Sequence, residues 1–329
     1  MSRKIYQLLQ KAEIKSMFEA EIPSSLFEKP GLNFKNLRTM NQQVEFEVSP
    51  KENIYFAIKI FASIIMYAVI VFAINGFLSI ENPATGQMVM LFGFYAGFII
   101  LYLIFRLGIF IGYLKGNAIK VSSVQFPDIF KIASEQSEKL GLATMPDVYI
   151  MQSGGMLNAF ATRFFGSNYI VLYSEAVESA LEKDKNMLEF IIGHELGHIK
   201  RKHLIKRLIL FPSFIIPFLG PAYSRACEYT CDNIGYALAP MGAKNGLLLL
   251  VSGRNLFSKV DTREYIRQGY TEDGFWQWFA EKVSSHPHVT KRIIKFRDTE
   301  SSPISSFTVK DEPKAEIKTE GDFSRFMPR

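Results

Sequence analysis

Two long stretches without a charged side chain constrain this chain more than any other feature. Ile60 to Ile80 contains no Asp, Glu, Lys or Arg, and its apolar character begins at Ile54, interrupted only by Lys59. Gln87 to Phe105 is also uncharged, and the run continues past Arg106 to Leu114. A helix crosses about 30 Å of hydrocarbon with roughly 20 residues. A core helix of that length would show a polar face, and neither stretch has one. The connector holds Glu81, Asn82, Pro83 and Gly86, a turn composition. A transmembrane helical hairpin is therefore predicted over 54–114.

The flanks set its orientation. Arg3, Lys4, Lys11, Lys15, Lys29, Lys35, Arg38 and Lys51 precede the hairpin, Lys115 and Lys120 follow it, and the connector carries no Lys or Arg. Cytoplasmic flanks carry the basic excess, so both ends are expected in the cytosol. The first 49 residues are rich in charges and lack an apolar core segment, so no cleavable secretory signal is expected there. Two cysteines in 329 residues exclude a disulfide scaffold and suit a reducing compartment. The net charge of +6 comes from dispersed Lys and Arg without a basic stripe, so a nucleic-acid partner is not expected.

After the hairpin the periodicity changes. Val121 to Lys139 reads as an amphipathic helix, with Phe126, Ile129, Phe130, Ala133 and Leu140 at helical spacing and Gly141 closing it. Residues 147–151 and 169–173 read as strands. One helix is expected from Ser174, capped by its hydroxyl, and another from Asp184 toward His203. Leu208 to Ala222 is uncharged but short and broken by Pro212, Pro217 and Pro221. It reads as a buried loop, a membrane-dipping segment or part of a further hairpin. Phe275-Trp276-Gln277-Trp278-Phe279 fits a membrane interface or a core equally well. Four segments follow: a cytosolic N-terminal segment 1–53, the hairpin 54–114, a domain 115–297 with a possible membrane-contacting segment 208–222, and a flexible polar tail 298–329.

The chemistry centres on His194-Glu195-Leu196-Gly197-His198, an H-E-x-x-H pattern on a predicted helix. Four residues advance about 400° around a helix, so both imidazoles share a face about 6 Å apart along the axis. Both can reach one zinc ion, with Glu195 beside it as general base. A catalytic zinc takes three protein ligands and leaves one position open. His203, five residues past His198, falls about 140° off the ligand face if the helix continues. Glu228 is the better candidate: on a helix it shares a face with Asp232, so one carboxylate can bind metal while the other orients a histidine. Cys227 and Cys231, also four apart, are read as core residues.

His194–His198 followed by Arg225, Glu228 and Asp232-Asn233-Ile234-Gly235 resembles the HtpX and CAAX-prenyl-protease family of membrane zinc metallopeptidases, a gluzincin group. Pro146-Asp147-Val148-Tyr149, Asn158-Ala159-Phe160-Ala161 and Ser285-His286-Pro287…Arg292 are similar to further family elements in the same order. The likeness runs from about Phe126 to Phe296. It departs at Cys231, where Ala is usual, and between His203 and Ser224, where HtpX-type members carry a second hairpin.

The resemblance implies a mostly α (α+β) fold, a transmembrane hairpin plus a zincin-like cytosolic domain with a small β-sheet. It implies one Zn2+ per chain on His194, His198 and Glu228, with Asp232 bonded to a liganding imidazole. Glu195 would move the proton and His286 would donate to the developing oxyanion. Asn158, Ala159 and Phe160 would lie along an edge strand that holds an extended peptide, or form a small core strand. The implied function is that of a zinc endopeptidase in the cell membrane, acting by zinc-activated water on membrane or misfolded proteins, with a polypeptide and the lipid bilayer as partners. A non-cleaving polypeptide-binding adaptor and a dedicated CAAX-type processing protease are the alternatives.

Overall fold

The computed structural model describes residues 43–80, 82–152, 154, 159–272 and 274–300. Helix α1 (Pro50–Leu78) and helix α2 (Pro83–Asn117) are joined by a tight turn in which the Asn82 side chain accepts a hydrogen bond from the Ala84 amide. Both are long and apolar enough to cross a membrane. Their apolar side chains point outward over most of their length; Phe72 is 81% exposed. The exceptions lie at the two ends that meet the rest of the chain. Glu52, Lys59, Ala62 and Ser63 of α1 are buried, as are Ile111 and Leu114 of α2.

The remainder is a helical domain around a four-stranded sheet ordered β1-β2-β4-β3. The strands are β1 (Ile119–Lys120), β2 (Asp147–Met151), β3 (Ala159–Phe164) and β4 (Ser167–Tyr173). Among the described strands only β2 and β4 pair in parallel; β3 returns antiparallel along β4 and forms one outer strand, with β1 as the other. The last turns of α2 pack on one sheet face through Ile111 and Leu114 against Tyr149, Tyr169 and Val171. The other face meets the main core, where Val148, Ile150, Ile170 and Leu172 contact the helices. Apolar residues thus alternate across both faces, as a sheet covered on two sides requires.

The helices follow in order: α3 (Pro127–Lys139), α4 (Ser174–Lys183), α5 (Lys185–Lys200), α6 (His203–Ile209), α7 (Leu219–Leu238), α8 (Pro240–Ser252), α9 (Thr262–Thr271), α10 (Phe275–Val283) and α11 (Val289–Glu300). Short 3-10 turns cover Phe211–Ile215 and Phe257–Lys259.

Several boundaries differ from the sequence reading for local reasons. The first amphipathic helix begins at Pro127, not Val121, because proline takes the first helical turn. Ser174 does not cap α4; its hydroxyl bonds Glu175. Asp184 does cap α5, accepting from the Asn186 amide at 3.1 Å. The helix expected to reach His203 stops at Lys200, and Lys202 takes a left-handed φ of 55° before α6 starts in a new direction. The uncharged segment 208–222 becomes the end of α6, a 3-10 turn and the start of α7. Helix α11 carries the chain to Glu300, into the span read as tail; 301–329 and 1–42 lie outside the described residues.

The helix core is tightest where α8 starts beneath α5. A Cβ on Gly242 would sit 1.9 Å from the Asn186 carbonyl oxygen, a backbone atom that cannot swing aside. In an open helix Gly→Ala stabilises by about 1 kcal/mol. Here the clash dominates, so Gly242→Ala should destabilise the protein by about 1–3 kcal/mol. A lowered thermal midpoint of the detergent-solubilised chain checks this, and an unchanged or raised midpoint contradicts it.

Candidate metal centre

Helix α5 presents His194, Glu195 and His198 to helix α7, and the two helices approach closely. A Cβ on Gly197 would lie 3.2 Å from the Cys231 Cα, and one on Gly193 would lie 3.2 Å from the Gly235 Cα. That approach brings Glu228 of α7 onto both imidazoles. His194 Nε2 is 3.4 Å from Glu228 Oε2, and His198 Nε2 is 3.5 Å from Glu228 Oε1. The three donor atoms lie within 4.8 Å of one another.

This set fits zinc. Donors about 2.0–2.1 Å from a tetrahedral ion are separated by about 3.4 Å, the spacing of both nitrogen–oxygen pairs. Imidazole and carboxylate are ordinary zinc donors, and both Nε2 atoms point at the carboxylate because both Nδ1 atoms are engaged elsewhere.

The Nδ1 partners differ. His194 Nδ1 is 3.0 Å from Asp232 Oδ1. Asp232 is gripped by Arg292 of α11 through Nε at 2.8 Å and Nη2 at 2.6 Å. His198 Nδ1 is 3.1 Å from His203 Nδ1, and His203 Nε2 is 3.2 Å from Glu52 Oε1. If His198 Nε2 faces a metal, its Nδ1 carries the proton and donates to His203 Nδ1, and His203 donates through Nε2 to Glu52. Glu52 belongs to the first turn of α1, is fully buried, and also accepts from Arg201 Nε and Nη2.

Electrostatics sharpen the division of labour. Burial pushes the Glu195 carboxyl up to about 7, partly offset by the neighbouring His194. Burial also opposes charge on Glu228, but the His194 hydrogen bond and the His198, His194 and Arg292 charges hold it well below the usual carboxylate range. One carboxylate is thus kept anionic, as a metal ligand would need to be, while its neighbour is poised near neutrality. Burial lowers His198 to about 3, keeping it a neutral donor. Asp232 is held low by Arg292 and His194 against the cost of burial.

The site opens into a cleft of roughly 260 Å³. Ala159, Phe160 and Ala161 of β3 form one wall, and Leu204, Arg207 and His286 border it elsewhere. The Ala161 backbone hydrogen-bonds Glu195. His286 is exposed, with Nε2 3.6 Å from Glu228 Oε1. Asn158 lies outside the described residues.

Thus His194, Glu195, His198, Glu228, His286, Ala159 and Phe160 all line one cleft, and Asp232 lies behind it against His194. His203 is what sequence reasoning missed. Its exclusion as a ligand assumed a continuous helix, and the break at Lys202 instead swings the ring back against His198. Cys231 Sγ is 3.7 Å from His203 Nδ1 and both cysteines are buried. Among the described residues the cysteines form alternative donor groups only by sharing His203, whose two nitrogens already have partners, beside the cations Arg201 and Lys206.

Orienting partners of metal-ligating histidines are worth about 10–100-fold in affinity. His203→Leu should therefore weaken zinc retention about tenfold or more, read by competition with a chromophoric chelator. Unchanged affinity would remove His203 from the site.

The signature of Peptidase family M48 matches residues 123–220. A protease HtpX homolog of Gemmatimonas aurantiaca is 33% identical over 219 residues, covering 53% of this chain and 76% of that protein. The CAAX prenyl protease 1 homolog of Dictyostelium discoideum is 37% identical over 108 residues, 32% of this chain and 24% of that one. Plastoglobule-localized metallopeptidase 48, chloroplastic, of Arabidopsis thaliana is 25% identical over 191 residues, 52% of each. The chain therefore spans about half of the Arabidopsis protein and about a quarter of the Dictyostelium one. Motif order, and likeness across three quarters of the HtpX homolog's length, lead to one assignment: the chain belongs to peptidase family M48.

Proposed function

We propose that this protein is a membrane-anchored zinc endopeptidase whose catalytic domain faces the cytosol and cuts membrane or misfolded polypeptides. The observation that carries the reading is the convergence of two Nε2 atoms and one carboxylate at ligand spacing, with Glu195 beside them. A zinc ion on His194, His198 and Glu228 would supply Lewis acidity and lower the pKa of water at the open position toward about 7.

The chain's own groups do the rest. Glu195, near neutral pKa, accepts a proton from the attacking water and returns it to the leaving amine. His286 reaches into the cleft from the exposed turn after α10 and donates to the developing oxyanion. The outer strand β3 offers an extended peptide a place to add as a further strand, a mode indifferent to side-chain identity. Asp232 and Arg292 keep the His194 ring fixed throughout.

The membrane part of the proposal rests on α1 and α2, and its orientation on the basic flanks. The hairpin keeps the cleft near the bilayer and raises the effective concentration of membrane substrates.

Glu195→Gln keeps the shape of the site and removes the base. The purified full chain should retain zinc while cleavage of fluorescent casein falls about 10²–10⁴-fold. A variant that cuts as fast as the parent overturns the mechanism. A parent that binds casein but never cleaves it, with or without zinc, favours the adaptor reading.

A further inference from the structure

Between α6 and α7 the chain makes a feature that the catalytic cleft does not use. Leu208 to Ala222 contains no charged residue. Leu210 and Leu219 turn inward, and most of its other large side chains point away from the protein: Leu208 is 77% exposed, Phe211 and Phe214 63% each, and Ile209, Ile215 and Phe218 are also exposed. Phe218 packs edge-on against Phe279 of α10, whose Phe275, Trp276 and Trp278 continue the same apolar surface.

The segment is fastened to α1 at two levels. Lys59 Nζ donates to Ser213 Oγ at 2.5 Å, and Tyr67 Oη donates to the Ile209 carbonyl at 3.0 Å. Lys59 and Tyr67 are eight residues apart, about 12 Å along a helix. The uncharged run of α1 begins at Ile60. Tyr67 stands about 10 Å inside that run and its ring leans back toward the helix N-terminus, so the Ile209 carbonyl sits between the levels of Lys59 and Tyr67, within one leaflet of a hydrocarbon core about 30 Å thick.

Its backbone is prepared for such a place. The amides of Leu210, Ser213, Ile216 and Leu219 bond to carbonyls within residues 206–217. Ser213 Oγ donates to the Leu210 carbonyl, and Pro212 and Pro217 have no N–H to satisfy. Hydrocarbon demands internal satisfaction of this kind, and water does not. Lys202 and Arg207, both exposed, lie just before the segment, where anionic headgroups would be.

We propose that Leu208–Phe218, extended by the aromatic face of α10, is a monotopic membrane element seated in the cytosolic leaflet, with lipid acyl chains as its occupant. It dips in and returns without crossing. Leu204 and Arg207 border the cleft, and Leu208 follows directly on the same helix. The cleft mouth therefore stands at the lipid–water boundary. The proposal rests on the reading that α1 and α2 span the bilayer, and its test separates the two.

Single cysteines at Phe214, Phe72 and Lys131 carry a nitroxide in the full chain, reconstituted in mixed phosphatidylcholine–phosphatidylglycerol vesicles; native Cys227 and Cys231 are buried. Phe214 and Phe72 are exposed, and the Lys131 side chain is 74% exposed, so Phe214→Cys, Phe72→Cys and Lys131→Cys should leave packing intact. Collision with oxygen reports lipid and collision with a water-soluble nickel chelate reports water. The Phe214 label should give an oxygen-to-nickel ratio close to that at Phe72 and several-fold above that at Lys131. A ratio equal to that at Lys131, with Phe72 in lipid, overturns the monotopic element alone. Shielding from both reagents means that a protein surface, such as a second copy, covers the segment, and it overturns the proposal too. A water-exposed Phe72 label removes the spanning hairpin and the element with it.

Discussion

The structure depends on how closely α5 and α7 approach. His and Glu are short side chains, and each must reach a common point from a different helix. Side-chain contact at 3.4–3.5 Å between His194, His198 and Glu228 leaves no room for a bulky residue in the seam. Gly193 and Gly197 on α5, facing Gly235 and Cys231 on α7, supply that clearance. The glycines cost helix propensity, about 1 kcal/mol each relative to Ala. Burial of Ile192, Leu196, Ile234 and other large side chains around the seam offsets the cost, at about 1.5–3 kcal/mol per fully buried side chain. The H-E-x-x-H spacing accounts for one helix only; the glycines make the second helix fit it.

The two imidazoles are then locked from opposite sides of the molecule. His194 is held from within the domain, through Asp232 to Arg292 on the last described helix. His198 is held through His203 by Glu52, which stands on the first turn of the membrane hairpin. Removing one partner of a buried ion pair strands the other charge, at about 3–5 kcal/mol. The Glu52 carboxylate is therefore tied to Arg201 as a largely buried ion pair and to the neutral His203 ring by a hydrogen bond. Any displacement of α1 relative to α5 must break this cluster or move His198 with it. Helix α1 is consequently part of what holds the His198 ring, in addition to the tethering that the proposed membrane hairpin would provide.

Much of this was legible in the sequence because the signals were periodic or spaced. The hairpin was marked by uncharged runs longer than a leaflet, and both long helices lie where those runs place them. The strand at 147–151 and the start of α5 at Asp184 followed from pattern and cap. Glu228 was singled out by its four-residue relation to Asp232, and the two do sit on one face of α7. Less legible was anything that depended on a break in a helix. Lys202 in a left-handed conformation has no sequence signature, since Gly or Asn is the usual occupant. Without that break His203 points away and Glu52 reads as an ordinary charge before a membrane span. Contacts across roughly 150 residues, such as Glu52 with His203, leave no local trace.

On the proposed readings, the same break sets a water-requiring site beside a lipid-facing one. Had α5 continued straight past Lys200, the apolar residues from Leu208 onward would have projected away from α1. The turn at Lys202 redirects α6 so that its basic first half faces Glu52 while its apolar end runs along α1 as far as Tyr67. Polar and apolar demands are thereby sorted along seven residues of one short helix. The cleft lies beside α6, bordered by its Leu204 and Arg207. An extended peptide advances about 3.3 Å per residue. On the proposed reading, a substrate chain leaving the bilayer near Leu208, one turn past the cleft-lining Leu204, would need only a few residues to enter the cleft that holds Glu195, which would place the scissile bond close to the membrane surface without recognition of sequence.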